Sequence, residues 1–339
     1  MFIKSKYAVL LAIIMLSAPF SHADYSTHAA AGAFVDKMVT EHKFEREFVV
    51  AVLQSAEKKQ SIIDAISRPA EKTKPWKEYK DIFLGEDRMR QGVEFWQANK
   101  KTLDKASKEF GVPAEMIVAI IGVETRYGKH KGTYRVIDAL TTLGFDYEPR
   151  ATFFSKELEH FFLLTREQKQ DPLKPVGSYA GAMGYGQFIP SSYRSYAIDY
   201  DDDELVDIWE NPVDAIGSVA NYFSRHGWES GELVLTRTHI KPDYDADLIN
   251  AGGRPSLTLA ELEAKGFTPV DKSLPQNLQA LPLMYEGVYG KEFWLGYKNF
   301  YVITRYNRSR LYAMAAWQLS QNIREAYDNA ELASAAKKS

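Results

Sequence analysis

The stretch GVPAEMIVAIIGVETRYG, residues 111–128, decides the fold prediction because it describes a helix that is apolar on every face. All residues of Met116–Val123 are apolar or glycine, so the segment has no polar side to turn toward water. A helix of this kind lies inside a protein, with other elements packed around it. Pro113 occupies a tolerated first-turn position, and Gly128 is expected to help end the helix. We therefore predict a mainly α protein, of the α+β class, built around a buried helix.

Glu124 is the unusual residue of this stretch, since a charged side chain is costly beside a buried surface. Desolvation and the negative end of the helix dipole both favour its protonated form. Arg126 is not expected to oppose them, because residues two apart on a helix do not face each other. A carboxylic acid kept protonated near neutral pH is what protonation of a glycosidic oxygen requires. The alternative is a surface glutamate paired with a basic side chain at a frayed helix end.

A second candidate segment is the glycine-rich stretch GSYAGAMGYGQFIPSSY, residues 177–193. Its glycines let the backbone approach a ligand closely, and a short helix is expected from about Pro190. The hydroxyl, amide and ring groups that suit a sugar chain belong to Ser178, Tyr179, Tyr185, Gln187 and Phe188. The glycine spacing is not that of a dinucleotide or Walker motif. The alternative is a purely structural turn.

The third candidate is DYDDDELVDIWENP, residues 199–212, which resembles a calcium loop. Calcium-loop spacing selects the carboxylates of Asp199, Asp201, Asp203, Asp207 and Glu210, together with the carbonyl of Leu205. Glu204 occupies the position where the loop normally has glycine. Seven acidic residues in twelve repel one another, which favours a bound cation. The alternative is a solvated acidic loop.

The composition of the 339-residue chain limits the classes of partner and of catalytic or metal site that it can have. The formal net charge is −3, which argues against nucleic acid as a partner. The absence of cysteine excludes disulfides, cysteine nucleophiles and thiolate metal sites. It also excludes a lipid-modified cysteine, so we expect no lipid anchor.

Residues 1–23 have the pattern of a secretory signal peptide. Lys4 and Lys6 precede the short apolar run Ala8–Leu16, and Ser21-His22-Ala23 is a small-x-small cleavage site. We expect a soluble, exported protein without a transmembrane anchor; the alternative is an N-terminal membrane anchor, for which the apolar run is short.

Residues 233–304 change pattern and predict a small β-rich region. Its short β-like runs, separated by Gly, Pro and Asn, are LVLTR, ALPLMY, EFWLGY and FYVIT. Within it, Thr258 and Glu261 predict a capping box at the start of a small helix. The chain returns to helix from Leu311.

Four blocks in order resemble the B-type lytic murein transglycosylases of Gram-negative bacteria: GVPAEMIVAIIGVETRYG, AGAMGYGQFIPSSY, NPVDAIGSVANYF and ITRYN. The resemblance covers roughly residues 70–325. It implies a lysozyme-like helical core, an extra helical domain and a small β-rich insertion around a deep groove. It also implies cleavage of the MurNAc–GlcNAc β-1,4 bond of peptidoglycan glycan strands without water, leaving 1,6-anhydro-MurNAc ends in the periplasm.

The resemblance assigns roles residue by residue. The catalytic acid falls on Glu124. The groove residues implied fall on Tyr79, Arg150, Ser178, Gln187, Tyr222, Tyr306, Asn307 and Tyr312, and Tyr179 joins them from the glycine-rich stretch. The family's calcium ligands fall on Asp199, Asp201, Asp203, the carbonyl of Leu205 and Asp214. For the last ligand we favour Asp214 over Glu210, although Asp202 and Glu204 replace residues that are usually glycine in the family.

A single glutamate suffices if the substrate supplies the nucleophile, and no cofactor for catalysis is expected. A usual glycosidase has a second carboxylate flanking the bond, which we cannot assign here. The alternatives are a muramidase that delivers water and a non-catalytic peptidoglycan-binding protein. The predicted divisions are a signal peptide at 1–23, a helical domain at 24–110 completed by 305–335, a lysozyme-like core at 111–232 with the acidic loop 199–214, and a β-rich domain at 233–304.

Overall fold

The computed structural model describes residues 24–68 and 74–336. The predicted signal peptide, residues 1–23, lies outside the described residues. Across the described part of the chain, no helix is both long enough and apolar enough to cross a lipid bilayer.

Helices dominate the described residues, and we number them in chain order. They are α1 (Ala31–Thr40), α2 (Arg46–Ser55), α3 (Gln60–Ser67), α4 (Trp76–Tyr79), α5 (Glu86–Ala98), α6 (Lys100–Phe110), α7 (Ala114–Thr125), α8 (Val136–Asp146), α9 (Ala151–Glu167), α10 (Pro190–Tyr196), α11 (Pro212–Arg225), α12 (Leu259–Ala264), α13 (Lys298–Tyr306) and α14 (Arg310–Ala336). The predicted mainly α class is confirmed. The helix predicted from Pro190 begins at that residue, where proline's missing N–H costs nothing.

Helix α7 is the centre of the helical part, as its composition predicts. Apart from Glu115 and Glu124, every one of its residues is buried. The helices α5, α6, α11 and α14 pack against it. Because these neighbours come from both ends of the chain, burial of α7 ties the N-terminal helices to the last one.

The strands within the described residues form two antiparallel sheets. They are β1 (Tyr134–Arg135), β2 (Val176–Gly177), β3 (Leu235–Ile240), β4 (Leu257–Thr258), β5 (Phe267–Pro269), β6 (Gln279–Gly287) and β7 (Gly290–Gly296). The first two strands pair with each other, and the other five form a sheet in the order β4-β6-β7-β3-β5. The β-rich insertion in residues 233–304 is therefore present, as predicted.

The five-stranded sheet has a small apolar core of its own. Its fully buried members are Leu259, Leu262, Phe267, Ala280, Leu295 and Tyr297. The capping box predicted for α12 is confirmed: Thr258 accepts from the N–H of Glu261, whose side chain accepts from the backbone of Thr258. The capping box fixes the start of α12, which packs against β4 and β5.

The prediction of a strand at FYVIT is wrong, because these residues lie in α13. Its buried residues Asn299, Phe300, Val302 and Ile303 recur three and four positions apart, which is helical spacing. The fully buried Asn299 side chain donates to the carbonyls of Glu229 and Glu232 at 2.8 and 3.0 Å. Tertiary packing therefore overrides the β propensity of these residues.

Candidate active site

The catalytic candidate Glu124 lies in the last turn of α7, where the chain reverses sharply. The helix ends at Thr125, earlier than the glycines predicted, because Arg126 and Tyr127 adopt the left-handed conformation with φ of 52° and 61°. Tyr127 turns back over the helix, and its hydroxyl donates to the carbonyl of Arg88 at 2.8 Å. A Cβ at Gly122 would lie 2.6 Å from that hydroxyl, so this position requires glycine. The helix therefore ends one residue after Glu124, in a left-handed turn.

Glu124 is partly exposed, whereas the sequence predicted a buried side chain. The nearby Arg126 guanidinium donates through Nε to Gln91 at 3.1 Å. This agrees with the expectation that Arg126 faces away from a residue two positions before it. A partly exposed carboxyl in the last turn of an apolar helix is accessible to a ligand.

Two tyrosines from the far end of the chain adjoin Glu124. The Tyr312 hydroxyl donates to Glu124 Oε1 at 2.6 Å, across 188 positions of sequence. Burial raises the pKa of the Tyr312 and Tyr306 hydroxyls well above their usual range, and the charge of Glu124 raises both further. Both tyrosines are therefore neutral, and Tyr312 serves as a hydrogen-bond donor that orients the carboxylate.

The two remaining predicted tyrosines extend this cluster in opposite directions. Tyr79, 1% exposed, lies on the side of Tyr312 and packs against Phe83, with the two ring centroids 5.4 Å apart and the rings tilted. On the other side, the Tyr222 and Tyr306 rings meet edge to face at 4.7 Å. Burial also raises the pKa of Tyr222, whose hydroxyl donates to the carbonyl of Arg305 at 2.6 Å. Tyr312 therefore contacts Glu124 directly, Tyr222 contacts Tyr306, and Tyr79 lies on the side of Tyr312.

The glycine-rich segment meets this cluster through its backbone. The Tyr306 hydroxyl donates to the carbonyl of Gly186 at 2.5 Å. A Cβ at Gly186 would lie 2.8 Å from that hydroxyl, which explains the glycine. Gln187 follows with a left-handed φ of 49°, and its amide donates to the carbonyls of Gly184 at 2.9 Å and Lys131 at 3.3 Å. The segment is therefore a wall of the site as well as a turn.

The other predicted groove residues have different surroundings. Ser178 Oγ accepts from the N–H groups of Ala180 and Ala182, so it holds the loop in shape. Tyr179 is 41% exposed, and Asn307 Oδ1 accepts from the N–H of Ser309 at 3.0 Å. Arg150 is exposed and lies over the rings of Phe153 and Phe154 at 4.4 and 4.9 Å. Among the described residues, no hydrogen bond or ring contact joins Arg150 or Tyr179 to the tyrosine cluster.

Two supporting residues were missed by sequence reasoning. Thr125 Oγ1 donates to the carbonyl of Tyr185 at 2.9 Å and so fastens the end of α7 to the glycine-rich segment. Arg88 Nη1 donates to the carbonyl of Gly122 at 2.5 Å. Burial lowers the pKa of Arg88 from its usual value. Thr125 could have been predicted as a supporting residue, because it directly follows Glu124 in the sequence. Arg88 could not, because it lies in a helix whose many charged residues are typical of a solvent-exposed surface.

The acidic loop brings together the first three predicted calcium ligands. Carboxylate oxygens of Asp199, Asp201 and Asp203 all lie within 4.8 Å of one another. Asp202 and Glu204 adopt left-handed φ values of 62° and 70°, the conformation for which the loop pattern prefers glycine. The backbone therefore takes the expected shape despite the substitutions. This oxygen-rich set is the donor chemistry that Ca²⁺ prefers.

The structure distinguishes the two candidates for the final calcium ligand by their surroundings. Glu210 pairs with Lys131 at 2.8 Å, and its side chain is 78% exposed. Asp214 is fully buried, and its two oxygens accept the N–H groups of Tyr200 and Asp207, each at 2.7 Å. Burial raises the pKa of Asp214, with the charges of Asp201 and Asp199 adding to that effect and the two N–H groups opposing it. The charges of Asp201 and Asp199 act on Asp214, whereas Glu210 pairs with a lysine outside the loop.

The chain matches the model of the "Transglycosylase SLT domain" family over residues 26–321. It is 42% identical over 309 residues to the membrane-bound lytic murein transglycosylase B of Escherichia coli K12, covering 88% of this chain and 84% of that protein. The soluble lytic transglycosylase SltB1 of Pseudomonas aeruginosa is 50% identical, with a TM-score of 0.83, covering 87% of this chain and 98% of that one.

Two further solved structures carry ligands. The E. coli lytic transglycosylase Slt35 in complex with calcium is 40% identical with a TM-score of 0.80, covering 90% of this chain and 95% of that one. SltB3 of P. aeruginosa in complex with NAG-NAM-pentapeptide is 28% identical with a TM-score of 0.77, covering 86% and 78%. The family match and the 42% identity over most of both chains confirm the resemblance found in the sequence. The chain belongs to the B-type lytic murein transglycosylases and is an enzyme of that class.

Proposed function

We propose that this enzyme cleaves the MurNAc–GlcNAc β-1,4 bond of peptidoglycan strands without water and leaves 1,6-anhydro-MurNAc ends. The observation that carries the proposal is the position of Glu124 in the last turn of α7, where its Oε1 accepts a hydrogen bond from the Tyr312 hydroxyl at 2.6 Å. The relatives named as lytic transglycosylases support the reaction class.

Glu124 acts first as the general acid. Its proton passes to the glycosidic oxygen as the bond from C1 of MurNAc to that oxygen breaks, and the GlcNAc leaves with a free hydroxyl. The tyrosine hydroxyl stays hydrogen bonded to Oε1, which leaves the proton on the other oxygen. General acid catalysis of this kind contributes about 10²–10⁴ in rate.

Glu124 then acts as the general base. As a carboxylate it takes the proton from the C6 hydroxyl of MurNAc while that oxygen attacks C1, so the catalyst is regenerated. A hydrolytic glycosidase uses a second carboxylate near the bond. No second carboxylate is assigned to this mechanism, which uses Glu124 alone.

The glycan groove is proposed to follow the tyrosine cluster and the glycine-rich segment. Tyrosine rings offer apolar faces to sugar rings and hydroxyls to their polar edges. The proposed substrate-binding residues are Tyr79, Arg150, Ser178, Tyr179, Gln187, Tyr222, Tyr306, Asn307 and Tyr312. Of these, Tyr312 is supported best, since its hydroxyl donates to Glu124, and Tyr306 and Tyr222 follow, since their rings meet beside it.

The acidic loop is proposed to hold a structural Ca²⁺ that takes no part in the chemistry. Asp199, Asp201, Asp203, the carbonyl of Leu205 and Asp214 would hold it. The clustered carboxylates fit this ion, and the calcium complex of Slt35 supports the assignment. Bound Ca²⁺ would offset the mutual repulsion of the carboxylates and so stabilise the fold.

The sequence pattern of residues 1–23 supports export to the periplasm of a Gram-negative bacterium and cleavage after about Ala23. We also propose the division into a helical domain at 24–110 completed by 305–335, a catalytic core at 111–232 and a β-rich domain at 233–304. The position of the five-stranded sheet within 233–304 supports the last of these.

Mass spectrometry of isolated sacculi treated with the purified protein tests the proposed reaction. Wild-type protein is expected to release muropeptides with anhydro ends, and Glu124→Gln is expected to release them about 10²–10⁴-fold more slowly. Products with reducing MurNAc ends alone would make the enzyme a hydrolase. Intact sacculi after treatment would favour a binding protein.

A further inference from the structure

The buried hydroxyl of Thr125, the last residue of α7, contacts three separate parts of the backbone. The side chain is 1% exposed. Its Oγ1 accepts from the N–H of Gly128 at 3.0 Å, and the carbonyls of Ile121 and Tyr185 lie 3.1 and 2.9 Å away as acceptors. Since a hydroxyl has one hydrogen, it donates to one of these carbonyls at a time. One atom therefore joins the end of α7, the turn after it and the glycine-rich segment.

Thr141 in α8 shows how a buried threonine behaves without such contacts. It is also fully buried, and its Oγ1 donates to the carbonyl of Ile137, four positions earlier, at 2.7 Å. That bond is the usual one for a threonine inside a helix. Among the hydrogen bonds of residues 24–68 and 74–336, none joins Thr141 Oγ1 to another element. The contacts of Thr125 with Gly128 and Tyr185 therefore go beyond what a helical threonine normally makes.

Tyr185 carries the contact from Thr125 onward to α13. It accepts from the threonine hydroxyl through its carbonyl, and the next carbonyl, that of Gly186, accepts from the Tyr306 hydroxyl. Tyr306 is the last residue of α13, and its hydroxyl lies where a Cβ on Gly186 would meet it. Two successive carbonyls of the glycine-rich segment thus bind two different helices.

The contacts return to the catalytic carboxyl through the start of α14. Tyr306 and Tyr312 lie on either side of the short connection between α13 and α14, and the Tyr312 hydroxyl donates to Glu124 Oε1 at 2.6 Å. Glu124 is joined to Thr125 by a peptide bond. The contacts therefore form a closed loop, in which Thr125 connects the proton-carrying side chain to the glycine-rich segment.

The glycine-rich segment keeps its own shape by other bonds. The N–H of Tyr185 donates to the carbonyl of Ile208 at 2.9 Å. Met183 and Phe188 exchange two backbone hydrogen bonds, each of 2.9 Å. Loss of the Thr125 hydroxyl would therefore leave the segment folded but free to shift relative to the end of α7.

We propose that Thr125 is a positioning residue, which sets the distance between the Glu124 carboxyl and the glycan held along the glycine-rich segment. The inference rests on the proposed function, which places the glycan there and gives Glu124 both proton transfers. Proton transfer requires hydrogen-bond distance between the two groups, so a small displacement slows it strongly. Thr125 itself is buried and does not reach the glycan. Its hydroxyl therefore acts on the chemical step more than on substrate binding.

Steady-state kinetics on soluble, uncrosslinked peptidoglycan strands test this role. Thr125→Val has nearly the same shape but no hydroxyl, and is expected to lower kcat at least about tenfold. KM should change by less than about threefold, because uniform binding is retained. Thr125→Ser keeps the hydroxyl and should recover most of the lost kcat. A Thr125→Val enzyme with kcat near wild type, a rise in KM alone, or equal loss of kcat in the serine variant would each overturn the proposal.

The matched control is Thr141→Val, which removes an equally buried hydroxyl bonded only within its own helix. It should leave kcat and KM unchanged, and a loss equal to that of Thr125→Val would assign the effect to general folding and overturn the proposal. Rates are measured well below each variant's melting temperature. If Thr125→Val does not fold, Thr125→Ala removes the same hydroxyl, with the same results expected.

The rates count all released muropeptides, whatever their ends. Reducing MurNAc ends in the wild-type products would therefore refute the proposed reaction, while the comparison of Thr125→Val with Thr125→Ser and Thr141→Val would still decide the role of Thr125.

Discussion

Glu124 at the end of α7 and Asp214 in the first turn of α11 are two acidic side chains in the helical part, and the protein surrounds them differently. Asp214 is fully buried and accepts a backbone N–H on each oxygen. Glu124 is partly exposed and accepts a side-chain hydroxyl on Oε1. Backbone donors fixed by the fold suit a structural role, whereas access for a ligand suits proton exchange. The proposed catalytic role of Glu124 and the proposed structural role of Asp214 therefore rest on the groups around each carboxyl more than on burial alone.

The largest expected effect is that of Glu124→Gln, which tests the contrast between Glu124 and Asp214 directly. Glu124→Gln keeps the shape of the side chain but removes the transferable proton, so kcat should fall by about 10²–10⁴. Thermal stability should stay level or rise, because the new group cannot ionise. Turnover of peptidoglycan and the melting curve measure the two effects.

Asp214→Asn is the matched variant for that experiment. It places an amide against backbone donors and should lower stability by about 1–3 kcal/mol, while the folded protein keeps most of its turnover. If Glu124→Gln retained turnover within a few-fold of wild type, the catalytic assignment would be wrong.

The next effect sharpens the role of the tyrosine cluster. Tyr312→Phe removes the hydroxyl that donates to Glu124 and should reduce kcat by about 10–100-fold, since a hydrogen bond to a charged group contributes roughly 1.5–3 kcal/mol. Tyr297→Phe removes an equally buried hydroxyl that bonds to Thr236 in the β-rich region, and should leave kcat unchanged. Equal loss in both variants would assign the effect to folding.

The smallest effect concerns the acidic loop. Calcium should raise the melting temperature of wild-type protein, with a stabilisation of about 2.7 kcal/mol at one hundred times the dissociation constant. Asp203→Ala removes a ligand and should abolish that rise, without lowering turnover of the folded protein. Asp243→Ala, which removes an exposed carboxylate outside the loop, should retain it. A melting curve indifferent to calcium would contradict the proposed metal site.

The sequence predicts the elements that local chemistry determines. The apolar α7, the Thr258 capping box and the β-rich region all follow from periodicity and capping signals. The prediction of a strand at FYVIT was wrong, because these residues form α13, a helix that depends on tertiary packing and on the buried Asn299. The early stop of α7 depends on left-handed Arg126 and Tyr127, which no residue preference predicts.

The residues of the candidate site also divide into those that the local sequence predicts and those that depend on tertiary contacts. Glu124 is found from its unusual position in an apolar helix. Its contact with Tyr312 spans 188 residues and has no local signature, so only the family resemblance indicated that tyrosine. Arg88 was missed, because its contact with the carbonyl of Gly122 joins two helices that are distant in sequence.

The origin of the new oxygen at C1 tests the central claim most directly. Peptidoglycan digested by wild-type protein in heavy-oxygen water should yield anhydro-MurNAc ends free of the label, because the C6 hydroxyl of the same sugar attacks C1. Mass spectrometry of the released muropeptides measures the incorporation. Reducing MurNAc ends carrying the heavy oxygen as the main product would show that water attacks C1, and would contradict the one-glutamate mechanism proposed for Glu124.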